Sequence, residues 1–359
     1  PLGAGAGITA FNFPVTLPCC MFPIPIACGN TFVLKPSEQD PSSTMLLVDL
    51  AHQAGLPPGV LNVVHGGADV VNMLCDHPDI KAVSFIGSTK VGTHVYRRAS
   101  EAGKRAQSMM GAKNHCVVLP DSNKEQAINN LIGSAFGAAG QRCMANSVVV
   151  LVNEARTWLP EIVARSKALK IGPGSDRSAD LGPMVNKAAK ARTERMIGTG
   201  VEQGATLVLD GRNCQVEGYP DGNFVGPTIF TDVKSDMEIY KEEIFGPAMC
   251  VVGVDTLDDA IAFINANPNG NGTSIFTSSG WSARKFQNEI DIGQVGINVA
   301  IPVPVAYFSF TGSRASKLGD LGPNGKQALQ FWTQSKTVTA RWFAPDDNGG
   351  QLNTTIAMK

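Results

Sequence analysis

Charge is scarce in this sequence: Asp, Glu, Lys and Arg make up 17% of its 359 residues, against roughly 25% in an ordinary soluble domain. The formal net charge is −1 and no block of like charges occurs, which argues against nucleic acid and anionic membrane as partners. Such a surface is compatible with cover by sister subunits. An apolar run long enough to cross a bilayer is also missing, because the segment from Pro18 to Cys28 is short and broken by Pro18, Pro23 and Pro25. Among the eight cysteines (19, 20, 28, 75, 116, 143, 214 and 250) there is no CxxC pair and no histidine at metal-ligand spacing. No metal site is expected, and a reduced, intracellular setting is. The vicinal pair Cys19-Cys20 lies in the apolar run and is expected in the core. None of the five histidines (52, 65, 77, 94, 115) has a partner at catalytic spacing, so they read as structural or solvated. The chain opens at Pro1 without a methionine, basic leader or signal sequence, inside a stretch that reads as a strand, so a preceding portion is expected.

What is present suggests two α/β lobes with a cleft, which this length accommodates. Gly3-Ala4-Gly5-Ala6-Gly7 imitates a dinucleotide fingerprint, but Ile8 stands where the third glycine belongs and Phe-Asn-Phe-Pro follows instead of a helix. The imitation is set aside. Residues 31–35 read as a buried strand, 42–54 as an amphipathic helix and 60–64 as a second strand, which makes a right-handed βαβ unit. Ligands in such sheets bind at the carboxyl ends of strands, where Lys35 and Glu38 lie, although a solvated surface pair would have the same spacing. A carboxylate at Glu38 would favour NAD over NADP. The pattern repeats at 82–86, with Gly87-Ser88 leading into a helix to about Ala102. That turn is either an anion site or an ordinary helix cap at Ser88.

Cys143 is the candidate nucleophile. It follows the small-residue approach Gly137-Ala138-Ala139-Gly140 and sits beside Arg142, whose guanidinium is expected to favour thiolate over thiol. A buried, inert thiol is the alternative. Asn12, before Pro14, is either an oxyanion donor or a cap for the next helix. In the second lobe 147–152 reads as a strand and 155–169 as a helix interrupted by Pro160. Lys336 to Trp342 alternates like an edge strand, and the polar tail after Pro345 is expected to be loosely ordered.

Gly-Gln-Arg-Cys-Met-Ala around Cys143, Phe-Asn-Phe-Pro, Lys-Pro-Ser-Glu, the Gly87-Ser88 turn and Lys241-Glu242-Glu243-Ile244-Phe245-Gly246-Pro247 together resemble the aldehyde dehydrogenase superfamily, in the family's order from Phe11 to Thr339. The resemblance implies an aldehyde dehydrogenase-like α/β fold with a Rossmann-type cofactor domain, an α/β catalytic domain and a C-terminal oligomerisation strand. The implied division is 1–111 for the NAD-binding domain, 112–312 for the catalytic domain, 313–335 for a return to the NAD-binding domain, and 336–359 for the strand and tail. It implies Cys143 and Asn12 as catalytic residues, and Phe13, Lys35, Glu38, Gly87, Ser88, Glu243 and Phe245 as cofactor contacts. Arg142 would bind a substrate carboxylate and Phe308 would line the aldehyde tunnel, although a core aromatic would look the same.

One departure matters. Where most of the family carries a glutamate that activates water, this sequence has Met109, and the run Met110-Gly111-Ala112-Lys113-Asn114 resembles the coenzyme A-acylating branch. A thioether cannot serve as a base. The resemblance therefore implies NAD-dependent oxidative decarboxylation of methylmalonate or malonate semialdehyde to propionyl- or acetyl-CoA, with coenzyme A as co-substrate. A homodimer or homotetramer is implied, in the mitochondrial matrix of a eukaryote or otherwise the cytoplasm. A second carboxylate-binding arginine would lie before Pro1. A hydrolytic dehydrogenase and an inactive NAD-binding subunit stay open as alternatives.

Overall fold

Runs of small and β-branched residues become the strands of two sheets in the computed structural model, which describes residues 1–349; positions 350–359 of the polar tail lie outside the described residues. Strands β1 (Ala4–Ile8), β2 (Thr31–Lys35), β3 (Leu61–Val63), β4 (Ile80–Ile86) and β5 (Arg105–Met109) are parallel, in the order β5-β4-β1-β2-β3. The crossovers carry α1 (Thr16–Met21), α2 (Pro23–Ala27), α3 (Ser42–Gln53), α4 (Ala68–Asp76) and α5 (Thr89–Glu101). The chain first builds away from β1 on one side and then returns to its other side with β4. Between those two directions the carboxyl ends of β1, β2 and β4 open a crevice, the usual place for a ligand in an open α/β sheet.

The glycine run is the central strand β1, and its composition answers to packing. A Cβ on Gly5 would meet the Trp332 ring at 2.4 Å, so the missing side chain makes room for a fully buried indole. On the opposite face Ala6 and Ile8 join Val83, Phe85 and Val95 in a separate apolar cluster.

The second sheet contains β6 (His115–Val118), β7 (Val148–Val152), β8 (Thr206–Leu209), β9 (Thr228–Thr231), β10 (Ala248–Val254), β12 (Gly272–Phe276) and β13 (Gln294–Ile297); the short β11 (Asn269–Gly270) stands apart from it. Its order is β13-β12-β6-β7-β10-β9-β8, parallel except for β8. Helices α6 (Lys124–Phe136), α7 (Leu159–Lys167), α8 (Lys187–Glu202), α9 (Glu238–Lys241), α10 (Leu257–Asn265) and α11 (Gly280–Glu289) surround it. The chain then pairs β14 (Ser313–Arg314) with β11, adds β15 (Lys317–Leu318) antiparallel to β5, and closes the first lobe with α12 (Gly325–Trp332).

Several expectations need correcting. Cys19 is exposed and Cys20 half-buried, because the prolines divide the apolar run into two short helices that bury Leu17, Pro18 and Met21 instead. Pro160 does not interrupt a helix: a 3₁₀ turn over Asn153–Trp158 precedes α7, and the proline sits in the first turn of α7, where its missing N–H costs nothing. By contrast, the alternating segment Lys336 to Trp342, expected to pair with a sister subunit, joins no sheet among the described residues of this one chain, and Val338 and Trp342 stand exposed.

Candidate active site

The Cys143 loop leaves α6 through a left-handed turn. Ala138, Ala139 and Gly140 have φ of 53°, 54° and 68°, a conformation that costs a non-glycine residue about 1 kcal/mol or more. At Gly140 a Cβ would stand 2.1 Å from the Gly246 carbonyl oxygen, so this approach of two loops admits only glycine. Side chains from elsewhere hold the turn. Gln141 accepts from the Val185 N–H at 2.9 Å and donates to the Pro183 carbonyl at 3.3 Å. The Cys143 carbonyl accepts from the Asn114 and Asn271 carboxamides at 2.8 and 2.9 Å.

Asn12 comes to this loop rather than capping a helix. Its Nδ2 donates to the Gln141 carbonyl at 3.1 Å, while α1 begins after Val15 with no side-chain cap. One carboxamide N–H remains for another acceptor. Phe11 and Phe245 meet edge to face, with ring centroids 5.8 Å apart, which joins the Asn12 segment to the Glu243 segment. Phe245 holds φ at 56°, unusual for a bulky residue.

The electrostatics reverse one expectation. Burial pushes the Cys143 thiol up to about 12, and the Glu243 carboxylate pushes in the same direction. The Arg142 guanidinium does not offset this, because it lies over Gly137 and donates to the Gly133 carbonyl at 3.2 Å. Burial also raises Glu243 to about 7, against the lowering effects of the Ala112 N–H and of Lys113 and Arg192. Asn114, Gly140, Arg142, Glu243 and Phe245 border one small cavity. Met109 is buried at the end of β5, where its carbonyl accepts from the Gly87 N–H.

The crevice of the first sheet supplies the other candidates. Lys35 ends β2 buried, and its Nζ donates to the Pro36 carbonyl at 2.8 Å and to Glu38 at 3.2 Å; the Glu38 carboxyl is held below its ordinary range first by a backbone N–H and also by this lysine. Gly87-Ser88 leads into α5, whose first N–H groups receive no side-chain cap from the exposed Ser88. Thr89 connects this turn to the second lobe, since its Oγ1 accepts from the Gly111 N–H at 3.1 Å and Glu243 lies against the same glycine. Phe13 is half-buried beside Asn12. Phe308 is 67% exposed, on the loop before β14.

Four residues that hold the site escaped the sequence reading in that role. Asn114 and the fully buried Lys113 stood in a segment already singled out, and a lysine within an apolar run is a usable signal. Asn271 and Arg192 carry no local signal at all.

The family model described as "Aldehyde dehydrogenase family" matches residues 1–338. A bovine (Bos taurus) protein named methylmalonate-semialdehyde/malonate-semialdehyde dehydrogenase [acylating], mitochondrial, is 55% identical over 96% of the chain. The chain spans 64% of that relative's length. The crystal structure of methylmalonate-semialdehyde dehydrogenase from Oceanimonas doudoroffii matches with a TM-score of 0.94 and 48% identity, covering 96% of this chain and 71% of that one. A Mycobacterium tuberculosis aldehyde dehydrogenase complexed with NAD+ matches at TM-score 0.86 and 34% identity, covering 93% and 68%.

Proposed function

The chain belongs to the aldehyde dehydrogenase family, and from that premise we propose that it is a coenzyme A-acylating, NAD-dependent dehydrogenase of methylmalonate or malonate semialdehyde. The observation that carries the acylating reading is the buried thioether of Met109 in the place of the family's water-activating glutamate. NAD fits the residues present: an uncapped helix N-terminus at Gly87-Ser88 suits a pyrophosphate, Lys35 and Glu38 suit the adenosine ribose, and Glu243 with Phe245 suits the nicotinamide end. When bound, NAD takes up the hydride that leaves the substrate carbon.

Cys143 Sγ adds to the aldehyde carbon, and the resulting oxyanion is met by the free N–H of Asn12 and the Cys143 backbone N–H. Loss of hydride leaves a thioester on Cys143. Arg142 pairs with the substrate carboxylate; that carboxylate leaves as CO₂, the carbon it leaves takes up a proton from solvent, and the thiol of coenzyme A then takes the acyl group from Cys143. The guanidinium must turn from the Gly133 carbonyl to do so. The names borne by the bovine and Oceanimonas relatives support this choice of substrate. A homo-oligomer is supported by the exposed apolar residues at Val338 and Trp342. The bovine relative's mitochondrial designation supports a mitochondrial location for a eukaryotic source.

Glu243 favours a second reading, because a carboxyl raised to about 7 beside Cys143 is also suited to activating water. NADH formation from methylmalonate semialdehyde, followed from the first turnover, separates the two. One burst without coenzyme A, steady turnover with it, and neither in Cys143→Ala supports the acylating enzyme. Steady turnover without coenzyme A would establish hydrolysis instead.

A further inference from the structure

The loop that carries Glu243 and Phe245 is gripped by two cations through its backbone. Arg192, in the second turn of α8, donates Nη1 to the Ile244 carbonyl at 2.5 Å and Nη2 to the Glu243 carbonyl at 2.8 Å. From the other side Lys113 Nζ donates to the carbonyls of Ile239 at 2.5 Å and Glu242 at 2.8 Å. Thr193, next to Arg192, packs against Gly246. Four carbonyls ahead of Phe245 are thus fixed, and the residue that follows them is in the left-handed region, from which an unrestrained phenylalanine would relax. A guanidinium suits this work, since its planar fork presents two N–H groups in fixed directions to two successive carbonyls.

The same helix reaches the other end of the crevice. Asn186 caps α8 by accepting from the Ala189 N–H at 2.8 Å, and its Nδ2 donates to Gln39 at 3.0 Å, one residue beyond Glu38.

We propose that Arg192, with Lys113 opposite, is a positioning residue that sets Glu243 and Phe245 against the nicotinamide end of the cofactor, and that α8 fixes their distance from the Lys35-Glu38 end. The proposal rests on the reading of Glu243 and Phe245 as cofactor contacts. Its mechanism does not: with the grip released, the loop relaxes and the Glu243 carboxylate leaves the neighbourhood of Cys143.

Two variants of the full chain test this. Arg192→Met removes the fork and the charge, whereas Arg192→Lys keeps the charge and the stem and guards against a variant that fails to fold. The readouts are NAD affinity by fluorescence quenching, KM for NAD against KM for aldehyde, the melting temperature, and the rate of Cys143 alkylation by iodoacetamide without cofactor. Arg192→Met is expected to weaken NAD about ten-fold while KM for aldehyde moves less than about two-fold, and to alkylate about three-fold faster. Arg192→Lys is expected between it and the parent. A folded Arg192→Met with parental NAD affinity and parental alkylation would overturn the proposal, as would equal losses for NAD and aldehyde. If the parent chain binds no NAD, the cofactor reading fails by itself, and the alkylation rates still decide whether Arg192 places Glu243.

Discussion

The Glu243 carboxylate opposes the ionisation of Cys143, and each group is dominated by its own burial. The carboxylate near the thiol raises the cost of thiolate, so Glu243→Gln is expected to speed Cys143 alkylation at fixed pH, with the larger burial penalty left in place. The same carboxyl, titrating near 7, should make cofactor affinity depend on pH. Ribose hydroxyls donate best to the ionised form, whose fraction rises about ten-fold between pH 6 and 8, so Kd for NAD should fall about ten-fold over that interval. In Glu243→Gln the dependence should vanish. A calorimetric titration at three pH values checks both variants, and a flat profile for the parent would remove Glu243 from the cofactor site. Much of this residue-level arrangement was open to a sequence reader, since Cys143, Asn12 and Glu243 sit in recognisable segments. The direction of Arg142 was not: the reading assumed that adjacency in the chain meant adjacency of charge and sulfur, and the turn at Ala138-Gly140 points the guanidinium back over Gly137.

Among the elements, α8 depends on one side chain for two contacts. Asn186 both caps it and ties it to Gln39, so Asn186→Ala should cost about 1 kcal/mol of stability and weaken NAD as well. Asn186→Asp keeps the capping oxygen and loses the donor, so its denaturant midpoint should stay near the parent's while NAD affinity still falls. Unfolding curves and NAD titrations on the two variants read these effects separately. The elements were legible where the pattern was clean: β2 and α3 lie where the buried apolar run at 31–35 and the amphipathic run from 42 predict. They were less so where proline acts by position, as at Pro160, which starts α7 rather than breaking it. Alternation at Lys336 to Trp342 describes a strand's preference, and a preference becomes a strand only beside a partner.

At the scale of the whole molecule, the second lobe should be sensitive to acid. His115 is fully buried between Tyr240, whose hydroxyl is 3.0 Å from Nε2, and the Phe263 ring, and burial drives its pKa from 6.5 down to about 3. The unfolded chain takes up a proton that the folded chain refuses, so stability present above pH 6.5 is lost as pH falls toward 3. At 1.36 kcal/mol per unit the loss should be about 2 kcal/mol by pH 5, and His115→Phe should lose less over the same range, as chemical denaturation at both pH values would read. The two-lobed α/β plan was legible from strand and helix periodicity, but the return of the chain to its first sheet rested on resemblance alone, because β15 has two residues and no alternation to read. That return carries Trp332 under Gly5, against Phe32. During synthesis the ribosome makes the slot more than three hundred residues before its plug. Until the plug emerges, one face of the nascent sheet offers Phe32, Leu34 and Leu61 to whatever chaperone is nearby, and a chain stalled before α12 would be held there as an open, aggregation-prone half-lobe.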